Sequence, residues 1–227
     1  VEMMKLGLSP EEEVTFGEIF SAAGYRTGWI GKWHLTGTHE RQYEPPGAGR
    51  HGFDYWRAFN FNHRHNHCEY YGDAPEPMEP EGYQMDWETD RAVDFIKEGA
   101  EGEDPFCLFM SWGPPHPPYE PWNMPSKYLE RYGTVEEVAL EDLPEEDRPD
   151  WRPWQQPIRF TPEPLPVRGN VEGDPVLDDL SVATYRAMID WCDDCLGRVL
   201  DALDETDLSQ NTVVVFTSDH GEMLNSH

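Results

Sequence analysis

Three short runs hold the residues best suited to chemistry on an anionic ester. Gly31-Lys32-Trp33-His34 sets an ammonium and an imidazole on either side of one tryptophan, and Pro114-Pro115-His116-Pro117-Pro118 encloses an imidazole between prolines. Ser218-Asp219-His220-Gly221-Glu222 places a carboxylate beside an imidazole. Transfer of an anionic group leaves negative charge on that group and on the departing oxygen, so catalysis wants fixed cations and proton donors around both. Lys32 offers a compact point charge, and His34 would share its side of a strand if the alternation ran on past Trp33. The prolines around His116 remove backbone donors and stiffen the loop, which suits a general acid. Asp219 and His220 can both face a divalent ion if the chain turns at Gly221, and Glu222 can orient His220. Each run also has a plainer reading: a surface lysine, a hydrogen-bonded structural histidine, an incidental histidine in a proline-rich turn, an ordinary acidic strand end.

Positioning such groups requires strands that end where the runs begin. Ser9-Pro10-Glu11-Glu12 reads as a helix start with Glu12 completing a capping box, Val14, Ile19, Phe20 and Ala23 as its apolar stripe, and Gly24 as its stop. Tyr25 to Ile30 follows as a short strand leading to Lys32. Thr36 to Pro80 has no sustained period and reads as a long ordered loop whose aromatics form a pocket. Asp86 is expected to cap a helix through about Glu98, with Ala92, Val93, Phe95 and Ile96 buried and Gly99 beyond its end. Pro105 to Trp112 then reads as a buried strand, and Pro114 to Pro175 as a surface excursion with a short helix at Ser126 to Tyr132. Leu180 to Leu203 keeps one helical face apolar for several turns. Val213-Val214-Val215-Phe216 is a β-branched run of the kind buried on both faces of a parallel sheet. This alternation predicts an α/β fold, a largely parallel central sheet with helices on both faces, in which the three polar runs sit at strand C-terminal ends where ligands bind.

The 227 residues suffice for one sizeable core and one domain, and no apolar stretch approaches the ~18 residues of a helical membrane span. A formal charge of -28 repels nucleic acid and anionic membrane and is read as a solubility adaptation, for example to high salt. An anionic substrate would then need a concentrated positive centre, which Lys32 and a bound divalent ion can supply. Four cysteines, Cys68, Cys107, Cys192 and Cys195, are too sparse for a disulfide scaffold. The Cys192-x-x-Cys195 pair falls inside the long helix and reads as core packing. His63, His65 and His67 alternate ahead of Cys68; as a strand they would share one face, open to reading as a zinc site, a substrate-pocket segment or solvated loop histidines.

Taken in order, GYRTGWIGKWHL from Gly24, PPHPPY from Pro114 and TSDHGE from Thr217 resemble the signatures of the sulfatase family of the alkaline phosphatase superfamily, over about Thr15 to His227. The resemblance implies an alkaline phosphatase/sulfatase-like fold, with residues 1–227 forming part of a catalytic domain. It also implies a metal-dependent sulfuric ester hydrolase acting on a small-molecule or carbohydrate sulfate ester. Lys32 and His116 would bind the sulfate, and His116 would help protonate the leaving alcohol. His34 would stand beside the nucleophile and assist its regeneration. Asp219 and His220 would hold a divalent metal, calcium first, with magnesium or manganese as alternatives, and His227 would approach the substrate. The family's nucleophile is a cysteine or serine converted to formylglycine within C/S-x-P/A-x-R, and no cysteine or serine here has that context. That residue, a preceding pair of aspartates and a later lysine are therefore expected outside this chain, and the chain alone is expected to be inactive. Two other readings fit the same runs: a phosphoester or phosphonate monoester hydrolase of the superfamily, and a non-catalytic relative that grips sulfated glycans. Cellular location stays open.

Overall fold

The structure, a computed structural model, describes residues 7–37, 43–164 and 179–222; His227 lies outside them. Its centre is a three-stranded parallel sheet of order β2-β1-β3, with β1 at Arg26–Lys32, β2 at Tyr55–Phe59 and β3 at Phe106–Ser111. β1 is the middle strand and is buried from Thr27 to Gly31. On one face Trp29 of β1 stacks on Phe109 of β3 with ring centroids 4.2 Å apart, and Phe16 of helix α1 (Phe16–Ala22) packs 5.4 Å from Phe109. The opposite face carries Gly28, where a Cβ would lie 2.9 Å from Phe95 of helix α2 (Gln84–Ala100) and 3.0 Å from Leu108. Because strand side chains alternate, α1 and α2 cover opposite faces of one sheet.

Helix α1 starts later than its first Ser-Pro signal suggests. Ser9 forms only an isolated turn, its carbonyl accepting from Glu12 and Glu13 backbone N–H groups at 3.2 and 3.1 Å. A second capping box takes over at Thr15, whose side chain accepts from the Glu18 backbone N–H while the Glu18 carboxylate accepts from the Thr15 N–H at 2.8 Å. Val14 and Ile19, expected in the buried stripe, are 79% and 59% exposed. Asp86 likewise falls in the first turn of α2, whose N-cap is Tyr83, and Gly99 lies inside that helix.

The 27-residue helix α3 (Asp179–Glu205) packs on α2 and carries Ala183, Ala187, Met188, Trp191 and Cys195 into the largest core cluster, with Met85 of α2 and Leu129. Trp191 is fully buried, and its indole N–H donates to Asp86 Oδ1 at 3.2 Å, which satisfies its polar end. Cys192 and Cys195 lie in this core as free thiols, and burial pushes them up to about 12 and about 11.

Two expected loops contain strands. Tyr55–Phe59 within the Thr36–Pro80 stretch pairs in parallel with β1, from Gly28↔Tyr55 to Lys32↔Phe59. The 114–164 part of the second stretch holds the 3-10 helix Ser126–Arg131 and an antiparallel pair, β4 (Gly133–Glu137) with β5 (Ile158–Pro162), which helps cover α3. Strand β3 is half-buried and not fully buried, because it pairs only with β1 among the described residues. The Val213–Phe216 run is not a strand: among the described residues it pairs with no neighbour, and Val213, Val215 and Phe216 are 89%, 78% and 66% exposed. A β-branched sequence makes a strand only where another strand completes its hydrogen-bond ladder. No helix among the described residues is long and apolar enough to cross a membrane.

Candidate active site

Lys32 is the last residue of β1, delivered by an unusually close approach of the two strands. Gly31 has φ +101°, and a Cβ there would sit 2.3 Å from the Ser111 carbonyl oxygen of β3. Only glycine fits both that contact and that backbone region. Past Lys32 the Trp33 N–H still donates to Phe59 of β2 at 2.8 Å, and Trp33 is buried against Trp29. His34 then leaves strand geometry with φ 52°, in the left-handed region that non-glycine residues seldom occupy. Strain of this kind persists where surrounding structure enforces it, commonly at functional sites.

Strand alternation therefore does not put Lys32 and His34 together; Phe61 does. The Lys32 ammonium lies 5.3 Å from the Phe61 ring centroid, and the His34 ring 5.1 Å from it. Phe61 also contacts His63 edge-on at 4.5 Å, and His63 packs on His116 at 4.0 Å. One continuous run of rings thus joins the end of β1 to the proline loop.

The proline loop is stitched down at several points. The His116 N–H donates to the Gly113 carbonyl at 3.1 Å, the His116 carbonyl accepts from His65 Nε2 at 3.2 Å, and the Pro118 carbonyl accepts from Asn123 Nδ2 at 3.3 Å. Beneath it is a buried polar chain. His65 Nδ1 lies 2.6 Å from Gln84 Oε1, and Glu88 Oε1 accepts from Gln84 Nε2 at 3.0 Å and from the Tyr70 hydroxyl at 2.9 Å. Burial raises the Glu88 carboxyl to about 8, so it is largely neutral at physiological pH. Burial also pulls His65 down to about 4, and lowers His63 to about 4 with help from the His116 and Lys32 charges.

The third run sits on the exposed segment after α3, at a bend and not at a strand end. Burial lowers the Lys32 ammonium, and the Asp219 carboxylate acts against that shift, so the carboxylate is near enough for its charge to be felt at Lys32. Glu222 has no hydrogen bond to His220 among the described residues; after burial, its charge is the next cause raising Tyr119, to about 12, and Tyr185. Asp219 Oδ2 lies 3.8 Å from His220 Nε2, and both side chains are largely exposed. Among the described residues no group of three or more histidine, cysteine or acidic side chains is arranged for a metal. One carboxylate and one imidazole fit a divalent cation chemically but supply only part of the shell that calcium or magnesium takes.

The three-histidine segment does not present one face, because it turns at His65 and Asn66 and is not a strand. His63 meets His116, His65 is buried on Gln84, and His67 is lowered by burial and then by the Arg152 charge. The residues that sequence reasoning passed over are Phe61, Gln84, Glu88 and Asn123. For Gln84 and Glu88 the signal was available: two polar residues four apart on the buried face of α2. A cleft of about 400 Å3 lined by Tyr83, Trp151, Trp154 and Lys127 contains none of the three polar runs. Convergent charge, not volume, locates the candidate site.

A sulfatase family model matches residues 2–227. The chain belongs to the sulfatase family. It is 32% identical over 96% of its length to an ulvan-active sulfatase of Formosa agariphila, of which it covers 37%. It is 28% identical over 92% of its length to an endo-4-O-sulfatase of Bacteroides thetaiotaomicron, covering 40% of that protein. A crystal structure of the Bacteroides fragilis sulfatase-type protein YidJ superposes with a TM-score of 0.73 at 28% identity, over 96% of this chain and 46% of that one. The sulfatase chain thus spans about two fifths of these curated relatives, and its open parallel sheet with helices on both faces is the fold of that neighbour.

Proposed function

We propose that the polypeptide carrying this chain is a metal-dependent sulfuric ester hydrolase, and that residues 1–227 form part of its catalytic domain. The reading is supported most by the grouping of Lys32, His34, His63 and His116 around Phe61, with Asp219 acting on Lys32.

A divalent metal, calcium first and magnesium or manganese as alternatives, would be held in part by Asp219 and His220 and would polarise a sulfate oxygen; a formylglycine outside these residues would supply the nucleophile. The four cysteines do not substitute for it, since burial keeps each thiol protonated. Lys32 binds the sulfate oxygens, and its partial burial strengthens that attraction. His116, as an imidazolium protonated on both ring nitrogens, hands the proton on Nε2 to the ester oxygen as the S–O bond breaks; the bonding pair stays on that oxygen and the alcohol leaves neutral. His34, held in its left-handed backbone, stands beside the position of attack.

The substrate class we assign is a sulfate ester, carbohydrate or small-molecule. Names of two relatives, ulvan-active and endo-4-O, support the carbohydrate. The test uses the full natural polypeptide and an aryl sulfate. Chelation should remove sulfate release by about 100-fold or more, calcium should restore it, and the matched phosphate ester should react more slowly. Undiminished turnover in chelator, or preference for phosphate, would contradict the reading.

A further inference from the structure

The His63 ring packs on the His116 ring, and the bonds around that pair fix where its protons lie. The Pro117 carbonyl can only accept, and it lies 2.7 Å from His116 Nδ1. That nitrogen therefore carries a proton. His63 Nδ1 lies 2.8 Å from the same nitrogen, so it must accept from it, and the His63 proton is on Nε2. His116 Nε2 has no hydrogen-bond partner among the described residues and is left for substrate.

The surroundings hold His63 in this role. Asn123, fully buried, accepts from the His65 N–H at 2.6 Å and donates to the carbonyls of His63 and Pro118 at 3.2 and 3.3 Å, which ties the two loops together. Gly113 lets the proline loop settle on this support, since a Cβ there would lie 2.8 Å from Gln84 Oε1 and 2.9 Å from the His65 ring. Burial and the neighbouring His116, Lys32, His65 and His34 charges keep His63 unprotonated, the state an acceptor needs.

We propose that His63 is a positioning residue for His116: by accepting from Nδ1 it holds a proton there and orients the ring so that Nε2 faces the departing oxygen, which receives the Nε2 proton when the ring is an imidazolium. The inference rests on the reading of His116 as proton donor, but its first test does not.

Long-range 1H–15N spectra of the protein above pH 7 should show His116 protonated on Nδ1 and His63 on Nε2. His116 protonated on Nε2 and not on Nδ1 would overturn the proposal whatever the enzyme's activity. The second test uses leaving groups in the full natural polypeptide. An alkyl sulfate needs a proton donor far more than 4-nitrophenyl sulfate does, so His63→Ala should lower alkyl sulfate turnover about tenfold more than aryl sulfate turnover. His63→Asn, whose Oδ1 can still accept, should recover most of the alkyl rate. Equal losses on both esters, or no recovery by asparagine, would mean a merely structural histidine and would overturn the proposal. Failure of the unsubstituted protein to cleave either ester would instead count against the sulfatase reading, with the tautomer spectrum still deciding the role of His63.

Discussion

Glu88 is a carboxyl with no access to water, and its protonation makes a signed prediction about stability. Its folded value of about 8 lies above its ordinary value of 4.5. The stabilisation from holding its proton is fully present below the ordinary value and is lost as pH rises through 8. His65 acts in the other direction: held down to about 4 from 6.5, it contributes above 6.5 and loses that contribution as pH falls toward 4. Of this pair, Glu88 alone changes stability between pH 6.5 and 8. Glu88→Gln should flatten the decline in Tm above pH 6.5 and gain on the order of 1–3 kcal/mol at pH 9; a loss at pH 9, read by denaturant titration, would refute this. At the same scale, Lys32, His34 and His116 were legible in the sequence because each stands in a short run of distinctive neighbours. Phe61, Gln84 and Asn123 were not, since their importance comes from contacts with residues 19 to 60 positions away, such as the His65–Gln84 and Asn123–His63 bonds.

Among the elements, β1 depends on glycine for two separable reasons. Gly31 combines φ +101° with a Cβ position 2.3 Å from the Ser111 carbonyl, whereas Gly24, with φ +84°, has nothing within 4 Å. Gly24→Ala should therefore cost only about 1 kcal/mol, from conformation alone, and Gly31→Ala at least about 3 kcal/mol by separating β1 from β3. Equal midpoint shifts in chemical denaturation would show that the close approach is not what demands glycine. The long apolar face of α3 was readable, since many turns repeat one signal. Strand β2 was hidden because five residues, Tyr55–Phe59, are too short for periodicity and are held by their parallel partner. Val213–Phe216 misled in the opposite direction: its composition favours a strand, yet no described neighbour pairs with it. The start of α1 was missed because two capping signals lie six residues apart and only packing chooses between them.

At the scale of the molecule, a formal charge of -28 sets a uniform repulsion against which one pocket must attract an anion. Raising salt from 0.01 to 0.1 M shortens the screening length from about 30 to about 10 Å, so Tm should rise with salt; a fall would mean that ion pairs outweigh self-repulsion. The fold class was legible because strand–helix alternation and the order of three polar runs survive errors at every boundary. Convergence of those runs was not, because it depends on Phe61 and on the Asp219 charge coming near enough to act on Lys32. The central claim is that these segments form one sulfate site built on Lys32. Turnover of 4-nitrophenyl sulfate by the full natural polypeptide, compared between Lys32 and Lys32→Ala with saturating metal, tests it most directly. A fall in kcat/KM of about 100-fold or more is expected. Unchanged kcat/KM in the alanine variant would contradict the account.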